Sequence, residues 1–230
     1  VYFRLCIENE PNDHQVLYNL IYCIDNLKCH KKGIKILNII LDKDPYNELI
    51  WLELGKQHLK LKNNRKALKS IDYAILCDDK FSAAYVEKAK LLQNNGEFLD
   101  AIENYQFSLT LESPSAFIYL RIAECFKNLK KEKLEVKYYK FSINEDPNYE
   151  ESWIALIEYY LTKGKFRTAL IYCNKALKIN EYYPDYWKMY AKINKCLNRY
   201  VDAEKAFQNI IGLGIDELIS WSGWIDTLIS

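Results

Sequence analysis

Few side chains in this sequence could do chemistry, and none are spaced to do it together. There are three histidines, His14, His30 and His58. A histidine could serve as a general base or as a metal ligand. Cys29-His30 is the one adjacent pair of potential metal ligands, and nothing at helical spacing from it completes a tetrahedral set. Seven cysteines, Cys6, Cys23, Cys29, Cys77, Cys125, Cys173 and Cys196, make an odd number with no C-x-x-C pair. Gly212-x-Gly214 lacks the third glycine of a dinucleotide loop and follows no strand. Paired acids such as Glu150-Glu151 are better explained as the negative residues favoured at a helix N-terminus than as acid–base groups. The expectation is therefore no catalytic residue, no metal and no cofactor: the chain is not an enzyme.

The elements that carry these residues follow one rhythm. Leu17, Trp51, Tyr85, Tyr119, Trp153, Trp187 and Trp221 recur at intervals of 34 residues. A fixed period of this length marks a repeat array, in which each unit buries its apolar face against its neighbours. Let His14 be position 1, so that later units begin at Glu48, Ser82, Ala116, Glu150 and Pro184. Apolar residues then fall mostly at positions 4, 7, 8 and 11, one face of a helix. Position 8 is small in four units, as Gly55, Ala89, Ala123 and Ala191.

A second helix repeats the logic. Position 20 is Gly33, Ala67, Ala101, Glu135, Ala169 and Ala203, while position 24 is mostly large: Leu37, Ile71, Tyr105, Tyr139, Cys173 and Phe207. Small facing large gives a tight antiparallel pair. In this register Cys6, Cys23, Cys125 and Cys173 read as small buried hydrophobes, and His58 as a satisfied packing residue. Polar turns such as Lys62-Asn63-Asn64, Asn94-Asn95-Gly96 and Lys163-Gly164 separate the helices, with Asn and Gly suited to the left-handed residue that ends a helix. Prolines near position 32, as in Pro11, Pro45 and Pro147, stop one unit and open the next.

The set Trp51, Leu54, Gly55, Ala67, Ile71 and Ala74 resembles the tetratricopeptide repeat, as does Tyr119, Ile122, Ala123, Tyr139, Ser142 and Pro147. Lys88 at an apolar slot and Glu135 at a small one depart from the pattern and are expected to weaken single interfaces. The resemblance implies an all-α fold, a right-handed superhelical solenoid of antiparallel helix pairs. It spans 1–230 as a single array: an incomplete unit over 1–13, complete repeats at 14–47, 48–81, 82–115, 116–149, 150–183 and 184–217, and the first helix of another over 218–230.

In that family the first helices line a concave groove that holds an extended or helical partner segment. By resemblance, the groove here would present Tyr18, Tyr22, Lys56, Lys90, Glu124, Glu158, Lys188 and Lys192. Such mixed charge suits a peptide bearing both signs plus apolar anchors. The clamp by which some members grip a chaperone's C-terminal carboxylate is not assembled by any consecutive units. Asn26, Asn94 and Asn128 share position 13, beside a helix end, and read as capping residues.

The implied function is a protein–protein interaction scaffold without catalysis. The alternatives are a substrate-targeting region of a larger enzyme and a self-assembly module. Lys plus Arg number 32 against 31 acids, so a nucleic-acid partner is not expected. No apolar run approaches the roughly 20 residues that cross a bilayer. Unpaired cysteines favour a reducing compartment, the cytoplasm. Val1 is not a natural start, and Trp221 and Trp224 would ordinarily pack under a further helix. A longer parent chain, a covering molecule, or homo-oligomers through the terminal helices would each satisfy those ends.

Overall fold

A computed structural model describes residues 14–214. The expectations for Cys6, Trp221, Trp224 and the flanking partial units lie outside the described residues. Twelve helices fill the described chain. The first helices of the six units are α1 (His14–Asn26), α3 (Glu48–Lys60), α5 (Ser82–Asn95), α7 (Ala116–Asn128), α9 (Glu150–Thr162) and α11 (Pro184–Cys196). The second helices are α2 (His30–Lys43), α4 (Asn64–Cys77), α6 (Phe98–Leu111), α8 (Glu132–Glu145), α10 (Phe166–Ile179) and α12 (Tyr200–Gly212). The fold is all-α, with the two helices of each described repeat packed against each other. The chain divides between Ser113 and Pro114 into two compact units, α1–α6 and α7–α12, each holding three repeats.

The turn inside each repeat is set by length rather than by residue type. The residue at position 15 has positive φ in all six repeats: Lys28, Lys62, Gly96, Lys130, Gly164 and Asn198. The next residue's N–H then closes onto the carbonyl of position 11, as in Asn63 to His58 at 2.9 Å and Lys165 to Tyr160 at 2.9 Å. This six-to-one bond satisfies a carbonyl that the helix end leaves open. Glycine and asparagine were expected to carry the left-handed residue, yet lysine does so in three repeats. Closure of the pair outweighs the roughly 1–2 kcal/mol that a side chain costs there.

The small–large register is borne out residue by residue. Positions 20, 24 and 27 are buried in every described repeat, from Gly33, Leu37 and Ile40 to Ala203, Phe207 and Ile210. A Cβ on Gly55 would stand 2.8 Å from Cγ1 of Ile71, and one on Gly33 would stand 2.6 Å from Cγ2 of Ile24. The helices are closer there than a methyl group allows. Lys88 fits its apolar slot by covering it with its stem and pairing its Nζ with Asp72 Oδ1 at 2.8 Å.

The position-4 aromatics do more than fill space. Trp51 Nε1 donates to Pro45 O at 2.8 Å, Tyr85 Oη to Asp79 O at 3.1 Å, Trp153 Nε1 to Pro147 O at 2.9 Å and Trp187 Nε1 to Glu181 O at 2.7 Å. Each bond reaches back six residues and ties the turn between repeats to the helix that follows it. Rings at position 26 then cover these aromatics: Tyr73 on Trp51 at 4.7 Å and Phe107 on Tyr85 at 4.6 Å between centroids.

Candidate functional site

In the second unit, the first helices α7, α9 and α11 and the start of α8 surround a cavity of about 260 Å³. Lys127 comes from the end of α7 and Glu135 from the first turn of α8. Ala155, Glu158, Tyr159 and Thr162 come from α9, spaced to share one helix face, and Lys192 comes from α11. Glu158 and Lys192 were expected to line such a groove, and here they line one cavity. Its one buried ionisable wall residue is Glu135, at 5% exposure.

Glu135 lines this cavity and was not singled out as a site residue from the sequence. It was expected to do no more than weaken a helix interface, since the other described repeats carry Gly or Ala at position 20. The position is buried as in the other described repeats, and the longer side chain reaches the cavity. The signal was present as the sole charge in that column. Burial pushes its carboxyl up, against the opposing pull of Lys127 and the hydrogen bond from Tyr139. Glu124 ion-pairs with Arg121 at 2.8 Å along α7 and lies near enough to Tyr139 to hold its hydroxyl proton more firmly, after burial and Glu135.

The other expected groove residues are spread out. In the first unit Tyr18 and Tyr22 are 66% and 61% exposed. Lys56 stands 3.9 Å from Glu53, and Lys90 pairs with Glu87 at 2.8 Å on the same helix. In the second unit Lys188 pairs with Asp185 at 3.2 Å. These i,i+3 pairs hold their ammonium groups along the helix surface. Asn128 donates from Nδ2 to Glu124 O at 2.8 Å, bonding back into its own helix rather than capping it.

The first unit carries a buried polar network where α1, α2 and α3 meet. Gln57 is fully buried; its Nε2 donates to Asp25 Oδ1 at 2.9 Å and Glu53 Oε1 at 2.6 Å, while its Oε1 meets His30 Nδ1 at 2.8 Å. Burial pushes the Asp25 carboxyl up, but hydrogen bonds from Lys60 and Gln57 outweigh it and leave the group below its ordinary value. Glu53 moves the other way, raised by burial. Every polar group of this network is satisfied, so it specifies how α1, α2 and α3 meet. His58 differs from expectation. It packs in the core slot, but its Nδ1 has no partner, and Asn194 at the same repeat position leaves Oδ1 unpaired.

A cleft of about 740 Å³ runs along α3 and α4 past Pro45, Tyr46, Trp51, Tyr73 and Leu76. Its walls include the tilted Trp51–Tyr73 ring pair and the Trp51–Pro45 bond, which join one repeat's helices to the turn before them. Among the described residues no three His, Cys, Asp or Glu side chains gather as a metal-ligand set. No described helix is long and apolar enough to cross a membrane.

No protein-family profile matches the sequence, and no curated protein does. Solved structures do. A tetratricopeptide repeat protein from Parabacteroides merdae superposes with a TM-score of 0.62 at 15% identity, covering 98% of this chain and 90% of that one. PilW, described as a widely conserved type IV pilus biogenesis factor, gives 0.68 at 18% identity over 91% of this chain and 96% of its own. YrrB, described as a tetratricopeptide-repeat protein with an unusual peptide-binding site, gives 0.58 at 12% identity over 81% and 96%. Identity this low shows the fold alone. The chain folds as tetratricopeptide-repeat proteins do.

Proposed function

We propose that this chain is a non-catalytic protein–protein interaction scaffold of the cytoplasm, its six repeats forming one array. It holds a peptide or helical segment of a protein partner on the concave face made by its first helices. The observation that carries this reading is the cavity shared by α7, α8, α9 and α11, into which two residues selected from repeat position alone, Glu158 and Lys192, both face. A likeness in fold to a protein with a peptide-binding site supports the same reading. The near balance of charge favours protein over nucleic acid as partner.

Exchanging the charges with Glu158→Lys and Lys192→Glu tests it. Both side chains are exposed, so thermal unfolding should stay within a degree or two. Binding of peptides selected on the unaltered protein from a displayed random library should fall. Unchanged binding by the doubly substituted chain would refute the concave-face reading.

A further inference from the structure

The cavity on the first-helix face is asymmetric in charge and in depth. Its lysines, Lys127 and Lys192, are exposed, and so is Glu158. Glu135 alone is a charged wall residue buried to 95% by its 5% exposure. A carboxylate in that position needs compensation, because removing a charge from water is costly unless it is paired. Tyr139 supplies one hydrogen bond. Among the described residues no ammonium or guanidinium nitrogen reaches Glu135 within ion-pair distance, and Lys163 pairs with Glu132 instead. The five other described repeats avoid the problem with Gly33, Ala67, Ala101, Ala169 and Ala203 at this position.

We propose that this cavity is a socket for one basic side chain, lysine or arginine, of the bound partner segment, with Glu135 as the anion that receives it. The inference rests on the scaffold reading and adds the class of residue recognised. Size supports a single side chain: about 260 Å³ falls just below the roughly 300–1,000 Å³ of small-molecule sites. Ala155, Leu161 and the ring of Tyr159 offer apolar wall for a methylene stem. Glu158 at the mouth adds a second carboxylate, and Lys127 and Lys192 select acidic residues flanking the basic one. The raised carboxyl of Glu135 agrees with an anion still lacking its cation.

The test uses the full chain and peptides selected on it from a displayed random library. Each basic residue of a selected peptide is replaced in turn, arginine by citrulline and lysine by norleucine. One basic residue should be shared among the peptides, and its replacement should weaken binding roughly tenfold or more, the loss typical of a desolvated charge pair. Glu135→Gln should cause a similar loss, and combining it with the altered peptide should add little further. Glu135→Ala, which installs the residue type of the other repeats, should lose binding while melting no lower than the unaltered chain. That result separates recognition from folding.

Lys127→Ala should leave basic-peptide binding intact or tighten it, since Lys127 competes for the same carboxylate. Selected peptides without a shared basic residue would overturn the socket, as would binding within twofold of normal for Glu135→Gln, or losses that simply add. If those peptides still depend on Glu158 and Lys192, the scaffold reading survives. A library yielding no binder would count against both.

Discussion

Replacing Trp153 by phenylalanine probes what the repeating aromatic contributes. Trp153 is 5% exposed, and its Nε1 donates to Pro147 O at 2.9 Å. Phenylalanine puts a six-membered ring in place of the nine-atom indole and loses three ring atoms, the donor nitrogen among them. The hydrogen bond is worth about 0.5–1 kcal/mol net, at the low end because Pro147 is exposed and water can take its carbonyl. Lost apolar burial equals roughly two methylenes, about 1.5 kcal/mol. The expected cost is therefore about 2 kcal/mol. Trp51→Phe should cost about half as much, because Trp51 is only half-buried, although its bond to Pro45 is equally short at 2.8 Å. Tyrosine offers a sharper comparison, since Tyr85 makes the same backward bond at 3.1 Å. Trp153→Tyr should thus be milder than Trp153→Phe. Urea unfolding followed by far-ultraviolet circular dichroism measures all three, with slopes compared to confirm one cooperative unit. A Trp153→Phe chain within about 0.5 kcal/mol of the unaltered one would refute the stabilising role of the backward bond, as would equal costs for Tyr and Phe.

Other consequences can be measured on the same material. Ser142 and Ser152 share a hydrogen bond of 2.5 Å with no exposure, so Ser142→Ala should cost about 1–3 kcal/mol by stranding a hydroxyl, and the double alanine variant should recover most of it in the same urea assay. Burial pushes the thiols of Cys125 and Cys173 up to about 12, so a thiol reagent should label exposed Cys196 promptly and those two only on unfolding. Glu135 holds its proton more firmly folded than unfolded, so its ionisation costs stability as pH rises from the ordinary carboxylate value through the raised one. Glu135→Ala should accordingly unfold at higher urea than the unaltered chain at neutral pH, by about 1 kcal/mol, with the gap closing in acid. A gap that widened in acid would contradict that sign.

The fold was legible because stacking depends on residues that recur. Ala67, Ala101, Ala169 and Ala203 must be small for the same reason in each repeat, so a period exposes them. The left-handed turns were legible in place but not in residue, since Lys28, Lys62 and Lys130 are held there by hydrogen bonds that sequence does not display. The backward bonds of the aromatics were likewise hidden, because a tryptophan in a period announces bulk and not the direction of its N–H. Recognition was least legible. Repeat position identified Glu158 and Lys192, which share the cavity, but also Lys56, Lys90 and Lys188, which lie along their own helices. Glu135 was dismissed as a flaw because it broke the pattern. The socket proposed above gives that departure a role in recognition.

Hydrogen exchange on the full chain, with and without a selected peptide, tests the central claim most directly. The account predicts slowed exchange over 124–135 and 154–163, the segments that carry Lys127, Glu135 and the cavity wall of α9. Protection confined to 66–77, along the large cleft beside Trp51 and Tyr73, would place the partner elsewhere and contradict it.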